Sequence, residues 1–129
     1  PQSVTCVGTL NQLTTMYHYQ HGPRMVVAEG GWGQAPGFGF RMRYVVNFDR
    51  GTADFDIGRE AGAGGESRQL LWHEGSATTV VDGGPLSGYD GEVRHVIEVI
   101  QGKATLLATV EDAAAVMGTV ELERGLVSG

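Results

Sequence analysis

The chain has 129 residues, of which 41% are hydrophobic and 19% are charged, and its formal net charge is −6 at pH 7. This length suits one ordinary domain and is too short to hold a dinucleotide-binding domain together with a substrate domain. Because the charges are scattered and mostly acidic and the apolar runs are short, we expect a single soluble domain over residues 1–129 that binds neither nucleic acid nor a membrane.

The first two thirds of the chain are predicted to form short strands. The clearest is the segment 38–48, in which aromatic and apolar side chains alternate with other residues at period two. Further strands are predicted at residues 3–9, 13–19, 25–29, 53–57, 69–73 and 78–81. Turn signals such as His21-Gly22-Pro23 separate them, which favours an antiparallel sheet.

Two helices are predicted after the strands. From residue 88 onward one helical stripe carries Tyr89, Val93, Val96, Ile97 and Ile100, and Gly102 stands where a helix end prefers glycine. A second helix begins at Thr109, which forms a capping-box pattern with Asp112, and runs to about Leu126. This order predicts an α+β fold, with an open, mostly antiparallel sheet and two C-terminal helices packed on one of its faces.

The predicted sheet carries more large apolar side chains than two helices can cover. Besides the apolar face of segment 38–48, the segment 13–19 offers a face with Leu13, Thr15, Tyr17 and Tyr19. A sheet face rich in tyrosine, tryptophan and arginine is typical of an interface. We therefore expect a homo-oligomer, or the docking of another domain, through the exposed sheet face.

Motifs for cofactors and metals are missing from the sequence. The glycine clusters at 31–33 and 62–64 have Pro36 and Ser67 at the third motif position and lead into strands, so we expect no dinucleotide site in this chain. His18 and His21 point to opposite faces of a strand, and the helical Glu92 and His95 pair occurs once, which favours structural roles over a metal site. No catalytic residue is predicted.

The chain's start and its cysteine bear on its origin. Because the sequence begins at Pro1, we expect a cut or processed N-terminus, before which a whole domain could have been lost. Cys6 is the single cysteine, which excludes an internal disulfide and fits a reducing, cytoplasmic compartment, although a disulfide-free exported protein is equally allowed. Its apolar neighbours favour a buried, inert thiol.

A resemblance covers nearly the whole chain. The run Gly-Tyr-Asp-Gly-Glu-Val-Arg-His-Val-Ile at 88–97, followed by Gly102 and by Thr-Val-Glu-Asp-Ala at 109–113, resembles the end of the glucose-fructose oxidoreductase/inositol dehydrogenase family (Gfo/Idh/MocA). The segments 29–32 and 38–56 look like the sheet of the same C-terminal domain. The family's Glu-Lys-Pro motif with its catalytic lysine and its Asp-x-x-x-His motif are not present in this chain.

The resemblance implies a function for the parent protein. Family members bind NAD or NADP on an N-terminal Rossmann domain and transfer hydride to or from a carbon of a sugar, cyclitol or similar hydroxyl compound. This chain would supply the substrate side and the oligomer interface, and alone it would be inactive. Our candidate substrate-binding residues, at strand ends and at the start of the first helix, are Trp32, Arg41, Arg43 and Tyr89.

Each candidate has a structural alternative, as a core or interface aromatic or as a solvated arginine. A different function is also open, that of a stand-alone, non-catalytic binding or oligomerisation module. A third possibility, a small α+β hydrolase or isomerase with a pocket on a concave sheet, requires a buried acid and base side by side, and the sequence does not locate them.

Overall fold

A computed structural model describes residues 1–59, 66–84 and 87–127. These residues form seven strands followed by two helices, with the bounds β1 Ser3–Thr9, β2 Gln12–His18, β3 Met25–Gly31, β4 Phe40–Phe48, β5 Gly51–Arg59, β6 Glu66–Glu74, β7 Ala77–Val80, α1 Gly88–Ile100 and α2 Val110–Val127. Every strand pairing is antiparallel. The predicted α+β class, with mostly antiparallel sheet, is confirmed. The glycine cluster at 62–64 lies outside the described residues.

The strands form two sheets where the sequence predicted one. One sheet has the order β1-β2-β3 and the other the order β4-β5-β6-β7. The connection between them holds Pro36, which has no N–H to donate, and Gly39, whose φ of 76° does not suit a strand. Phe38 belongs to this turn and donates its N–H to the carbonyl of Ala35 at 2.8 Å, so β4 begins two residues later than predicted.

The chain divides into two compact units. The first unit contains residues 1–34 and the residues from 98 onward, and the second contains residues 35–97. Of the described residues, no apolar side chain is fully buried. Each unit must therefore be stabilised by partly buried contacts.

In the first unit, α2 packs against β1. The sheet face that carries Cys6 and Thr15 includes the only fully buried side chain among the described residues, that of Thr15, which is 1% exposed. Leu13 and Tyr17 are half-buried on the same face, as the period-two pattern of this segment predicts. The half-buried residues of α2 recur at every fourth position, at Thr119, Glu123 and Val127.

In the second unit, the two faces of the four-stranded sheet differ in character. The pairings of Met42 with Ile57 and of Tyr44 with Phe55 place the apolar residues together. We call this the apolar face, and its large side chains are Phe40, Met42, Tyr44, Val46, Phe48, Phe55, Ile57, Leu70 and Trp72. Two aromatic pairs stabilise it, Tyr44 with Phe55 and Phe48 with Trp72, each with ring centroids 5.9 Å apart. The opposite, polar face carries a bidentate pair between Arg43 and Asp54 at 3.0 and 2.7 Å.

Local hydrogen bonds define the ends of both helices. Thr109 and Asp112 form the predicted capping box, in which the Asp112 N–H donates to the Thr109 hydroxyl at 3.1 Å and the carboxylate accepts from the Thr109 N–H at 2.9 Å. At the end of α1, Gly102 has a φ of 70° and Lys103 donates its N–H to the carbonyl of Glu98 at 2.8 Å, the pattern of a Schellman motif.

The helices differ in how they meet the strands. Within the described part of the chain, α2 against β1 is the one extensive contact between a helix and a strand. The apolar stripe of α1 stays largely in solvent, with Tyr89 82% and Val93 62% exposed. In the described residues, no helix is long and apolar enough to cross a membrane.

Candidate functional site

An open groove of about 920 Å³ lies in the second unit, beside the apolar face. Phe40, Met42, Phe55, Ile57 and Leu70 form its floor. This volume falls at the upper end of the range of roughly 300 to 1,000 Å³ that small-molecule sites occupy. An apolar floor of this kind is suited to the flat side of a ring or to the carbon skeleton of a metabolite.

Polar groups line the rim of the groove. Arg59 and Glu66 pair across β5 and β6 at 3.2 Å. Arg68 donates from Nη2 to the carbonyl of Gly84 at 2.9 Å, and Asp82 accepts the Gly84 N–H at 2.8 Å. The first bond ties the segment after β7 to β6, and the second closes a turn within that segment. Carboxylate and guanidinium groups therefore stand close to the apolar floor.

The start of α1 contributes the remaining wall, with Tyr89 and Glu92. Its position is set by a second capping box, in which the Ser87 hydroxyl and N–H both donate to Asp90 Oδ2, at 2.7 and 3.1 Å. The Asp90 N–H returns a bond to the Ser87 hydroxyl at 3.2 Å. These hydrogen bonds from Ser87 lower the pKa of the Asp90 carboxyl, so the cap persists at mildly acidic pH.

The groove combines apolar contact with several hydrogen-bonding groups. A phenol hydroxyl at Tyr89, a serine hydroxyl at Ser87 and carboxylates at Asp82 and Glu92 can bond to ligand hydroxyl groups above a hydrophobic floor. No group of three or more potential metal ligands occurs among the described residues. The apolar floor and polar rim together can bind and orient a polyhydroxylated ring.

The four candidate residues from the sequence lie in different places. Tyr89 lines the groove and is 82% exposed. Arg41 and Arg43 lie on the polar face of β4, where the Arg41 side chain covers the backbone of Gly58 and would collide with a Cβ there. Trp32 follows β3 in the first unit and is 89% exposed. Its backbone N–H donates to the carbonyl of Asn11 at 2.8 Å. Of the four, Tyr89 alone lines the groove.

Sequence reasoning missed most of the residues that line the groove. The Ser-x-x-Asp pattern at 87–90 was a readable signal for the helix start, since it has the same form as the pattern at Thr109. The floor residues Phe55 and Leu70 gave no such signal, because their place beside Tyr89 depends on strand pairing and on the path of the chain after β7.

A polar cluster lies under α2 in the first unit. The Tyr17 hydroxyl donates to Glu123 Oε1 at 2.5 Å, and Cys6 Sγ lies 3.4 Å from the Thr15 hydroxyl. Burial, then the hydrogen bond and the charge of Glu123, raise the pKa of Tyr17 from 10.0 to about 12. Cys6 is half-buried. This cluster joins the helix to the sheet.

Comparison of the chain with protein-family models, with curated proteins and with solved structures finds no match.

Proposed function

We propose that this chain is the substrate-side, C-terminal domain of an NAD(P)-dependent oxidoreductase that acts on a sugar, cyclitol or similar hydroxyl compound. The observation that carries the proposal is the groove beside Tyr89, which begins within the Gly-Tyr-Asp-Gly-Glu motif on which the family resemblance rests. A role in positioning substrate uses binding energy to hold a reacting carbon near a cofactor.

The cofactor would be held elsewhere in the parent protein, on a Rossmann domain in cis and in the cytoplasm. In this chain the described glycine cluster at 31–33 is followed by Pro36 and then by β4, and a strand there cannot direct a helix N-terminus at a pyrophosphate. The described residues around this cluster therefore do not fit NAD or NADP, and they would take no part in hydride transfer. Isolated, the chain is inactive.

Calorimetric titration with NAD, NADH and NADP tests whether the cofactor binds outside this chain. We expect no heat of binding at high protein concentration, because residues 1–59, 66–84 and 87–127 contain no strand, glycine turn and helix in the required order. Saturable binding of any of the three would place a cofactor site within these residues and contradict the proposal.

Titration with a cyclitol, followed by backbone NMR, tests the groove itself. We expect shift changes around Tyr89 and Asp82 with inositol, and weaker binding in Tyr89→Phe, which loses only the hydroxyl. Tyr44→Phe is the matched control, because the Tyr44 hydroxyl contacts the Met42 sulfur at 3.0 Å and does not line the groove. Shift changes confined to the polar face around Arg43 would assign the ligand to another site.

A second function, association, is favoured by the edge strand β4. Phe40, Tyr44 and Phe48 are 56%, 55% and 57% exposed on the apolar face, although aromatic side chains of this size are usually covered. A homo-oligomer through the exposed sheet face accounts for this exposure. The same chain can then serve as a stand-alone oligomerisation module, whether or not it also binds substrate.

A further inference from the structure

The second unit has a long strand with an open edge. Its sheet has the order β4-β5-β6-β7, so β4 pairs with β5 alone among the described strands. β4 has nine residues, contains no proline or glycine, and pairs with β5 without a bulge, whereas β7, at the other edge, has four residues. Proteins commonly protect an open edge by shortening or interrupting it, because its free N–H and C=O groups bind other strands. The edge of β4 is therefore suited to accept a further strand.

The hairpin between β4 and β5 determines which main-chain groups face the open edge. Phe48 pairs with Gly51 across a two-residue turn. These two residues must bond to each other, because the alternative pattern would require bonds within the turn itself. Hydrogen bonding alternates along an antiparallel ladder, so the even-numbered residues of β4 bond to β5 and the odd-numbered ones point away from it. Arg43, Val45 and Asn47 therefore face the open edge, and no described residue bonds to their main-chain groups.

The apolar side chains of β4 are covered from one side only. On the apolar face, Phe55 and Trp72 of the inner strands are half-buried, whereas Phe40, Tyr44 and Phe48 of β4 are each more than half exposed. A residue in an inner strand packs against neighbours in two strands, and a residue in an edge strand packs against neighbours in one. A strand added beside β4 would cover this aromatic row and bond to the open main-chain groups at the same time.

We propose that β4 pairs antiparallel with β4 of a second copy of this chain, about a two-fold axis at Tyr44, so that the two four-stranded sheets become one. Arg43 of each copy then exchanges main-chain hydrogen bonds with Val45 of the other. This pairing rests on association, the second of the proposed functions, and specifies it. The contact surface is the edge of β4, and the partner is an identical strand.

This pairing makes β4 complementary to itself. On the apolar face it places large side chains opposite one another, Tyr44 with Tyr44, Phe40 with Phe48 and Met42 with Val46. A shift of two residues in one direction would place Arg43 opposite Arg43, and like charges directly opposite each other destabilise a sheet. A shift in the other direction would carry Phe40 beyond the end of the partner strand. The two-fold register alone pairs all nine residues.

The polar face is compatible with the same pairing. Asp54 of its own chain holds Arg43 by two hydrogen bonds, at 3.0 and 2.7 Å, so the charge of Arg43 is already matched when Val45 of the second copy approaches. The pairing uses the main chain of Val45 and not its side chain. Replacement of this valine by lysine would therefore meet little repulsion and leave the pairing intact.

Amide hydrogen exchange at residue resolution, measured at low and high protein concentration beside sedimentation velocity, tests the pairing. We expect the amides of Arg43 and Val45 to exchange at least about 10-fold more slowly in the dimer, because they then donate to the second copy. The amides of Tyr44 and Val46 are the matched controls, because they already bond to β5 in the monomer and should be protected at both concentrations.

The possible outcomes separate the pairing from association in general. A dimer in which Arg43 and Val45 exchange as fast as in the monomer would assign the contact to the apolar face. That result would overturn the strand pairing and leave the proposed association standing. A chain that stays monomeric at every concentration would overturn both.

Cysteine cross-linking measures the register. In a Cys6→Ser background, Tyr44→Cys places two thiols opposite each other in a pair without hydrogen bonds, with Cα atoms about 4.5 Å apart, which a disulfide can span. We expect a covalent dimer on mild oxidation with oxidised glutathione. Phe48→Cys is the matched control on the same face, because its two thiols would lie about 27 Å apart.

A second pair of variants is available if Tyr44→Cys fails to fold, since that change removes the stack on Phe55. Phe40→Cys and Phe48→Cys, mixed in equal amounts, should link to each other, and neither should link to itself. Cross-linking of Phe48→Cys alone, or no cross-linking in either experiment, would overturn the register and with it the proposal.

Discussion

The hydroxyl of Tyr17 links β2 to α2 through Glu123. Tyr17→Phe removes the donor and leaves a half-buried carboxylate without it, so we expect the free energy of unfolding to fall by about 1 to 2 kcal/mol. Chemical denaturation followed by circular dichroism measures the change. Tyr44→Phe, which loses a hydroxyl contact to a thioether, should change stability little.

The same residue predicts how stability depends on alkaline pH. The folded pKa of Tyr17, about 12, lies above the ordinary value of 10.0, so the folded state favours the neutral phenol. The stabilisation is complete below pH 10.0 and is lost as the pH rises towards 12. Unfolding free energies measured across this interval should fall in the wild type and fall less in Tyr17→Phe. Parallel curves for the two proteins would show that Tyr17 titrates normally.

Gly51 predicts a packing effect at the aromatic end of the second sheet. A Cβ at this position would lie 2.5 Å from both the Trp72 ring and the carbonyl of His73, so Gly51→Ala must displace one of them. We expect destabilisation of about 1 to 3 kcal/mol from overpacking. Gly30→Ala is the control, because the space around Gly30 is open. Equal melting temperatures for the two variants would mean that Trp72 yields without cost.

These residue-level features show what the sequence could and could not supply. Period two correctly placed Leu13, Thr15 and Tyr17 on one face, because side-chain direction follows from strand geometry alone. The pairing of Tyr17 with Glu123 spans 106 positions in the chain and depends on where α2 docks, which no local pattern encodes.

Elements were predicted well where local chemistry decides them. The capping box at Thr109 and the glycine at 102 set the start of α2 and the end of α1, and both act within a few residues. The period-two alternation of apolar and polar residues could not predict whether the strands form one sheet or two, because each strand shows the same alternation in both cases. The exposure of the apolar stripe of α1 could not be predicted either. Helical periodicity indicates which side of a helix is apolar, but it does not indicate what packs against that side.

The capping box at Thr109 allows a prediction about the stability of one element, α2. Thr109→Ala removes the hydroxyl that accepts the Asp112 N–H, and we expect a loss of about 1 kcal/mol in stability, with fraying at the start of α2. Amide hydrogen exchange at residues 110–113 locates the effect. Thr105→Ala, in the connection before the helix, should leave exchange in α2 unchanged.

Low pH should weaken the stabilisation that the Thr109–Asp112 capping box provides. Hydrogen bonds from the backbone and hydroxyl of Thr109 lower the pKa of Asp112, so the stabilisation is present above the ordinary pKa of 3.8 and is lost as the pH falls through the lower, folded value. NMR titration of the Asp112 carboxyl checks the direction. A midpoint at or above the ordinary value would contradict the observed bonding.

For the molecule as a whole, the exposed aromatics of β4 predict concentration-dependent association. Sedimentation velocity should show a dimer or larger species, and Phe48→Lys should shift the dissociation constant upward by about 10-fold or more, because a charge then lies in the contact. Val45→Lys, on the polar face of the same strand, should leave association unchanged. A chain that stays monomeric at all concentrations would remove the support for an oligomerisation module.

The two tryptophans supply a separate optical signal from each unit. Trp32, in the first unit, is almost entirely in water, whereas Trp72, in the second, is half-buried against Phe48. Their fluorescence should differ in emission maximum and in sensitivity to quenching by iodide. Trp32→Phe and Trp72→Phe would each leave a single emitter, so unfolding of one unit could be followed while the other remains silent.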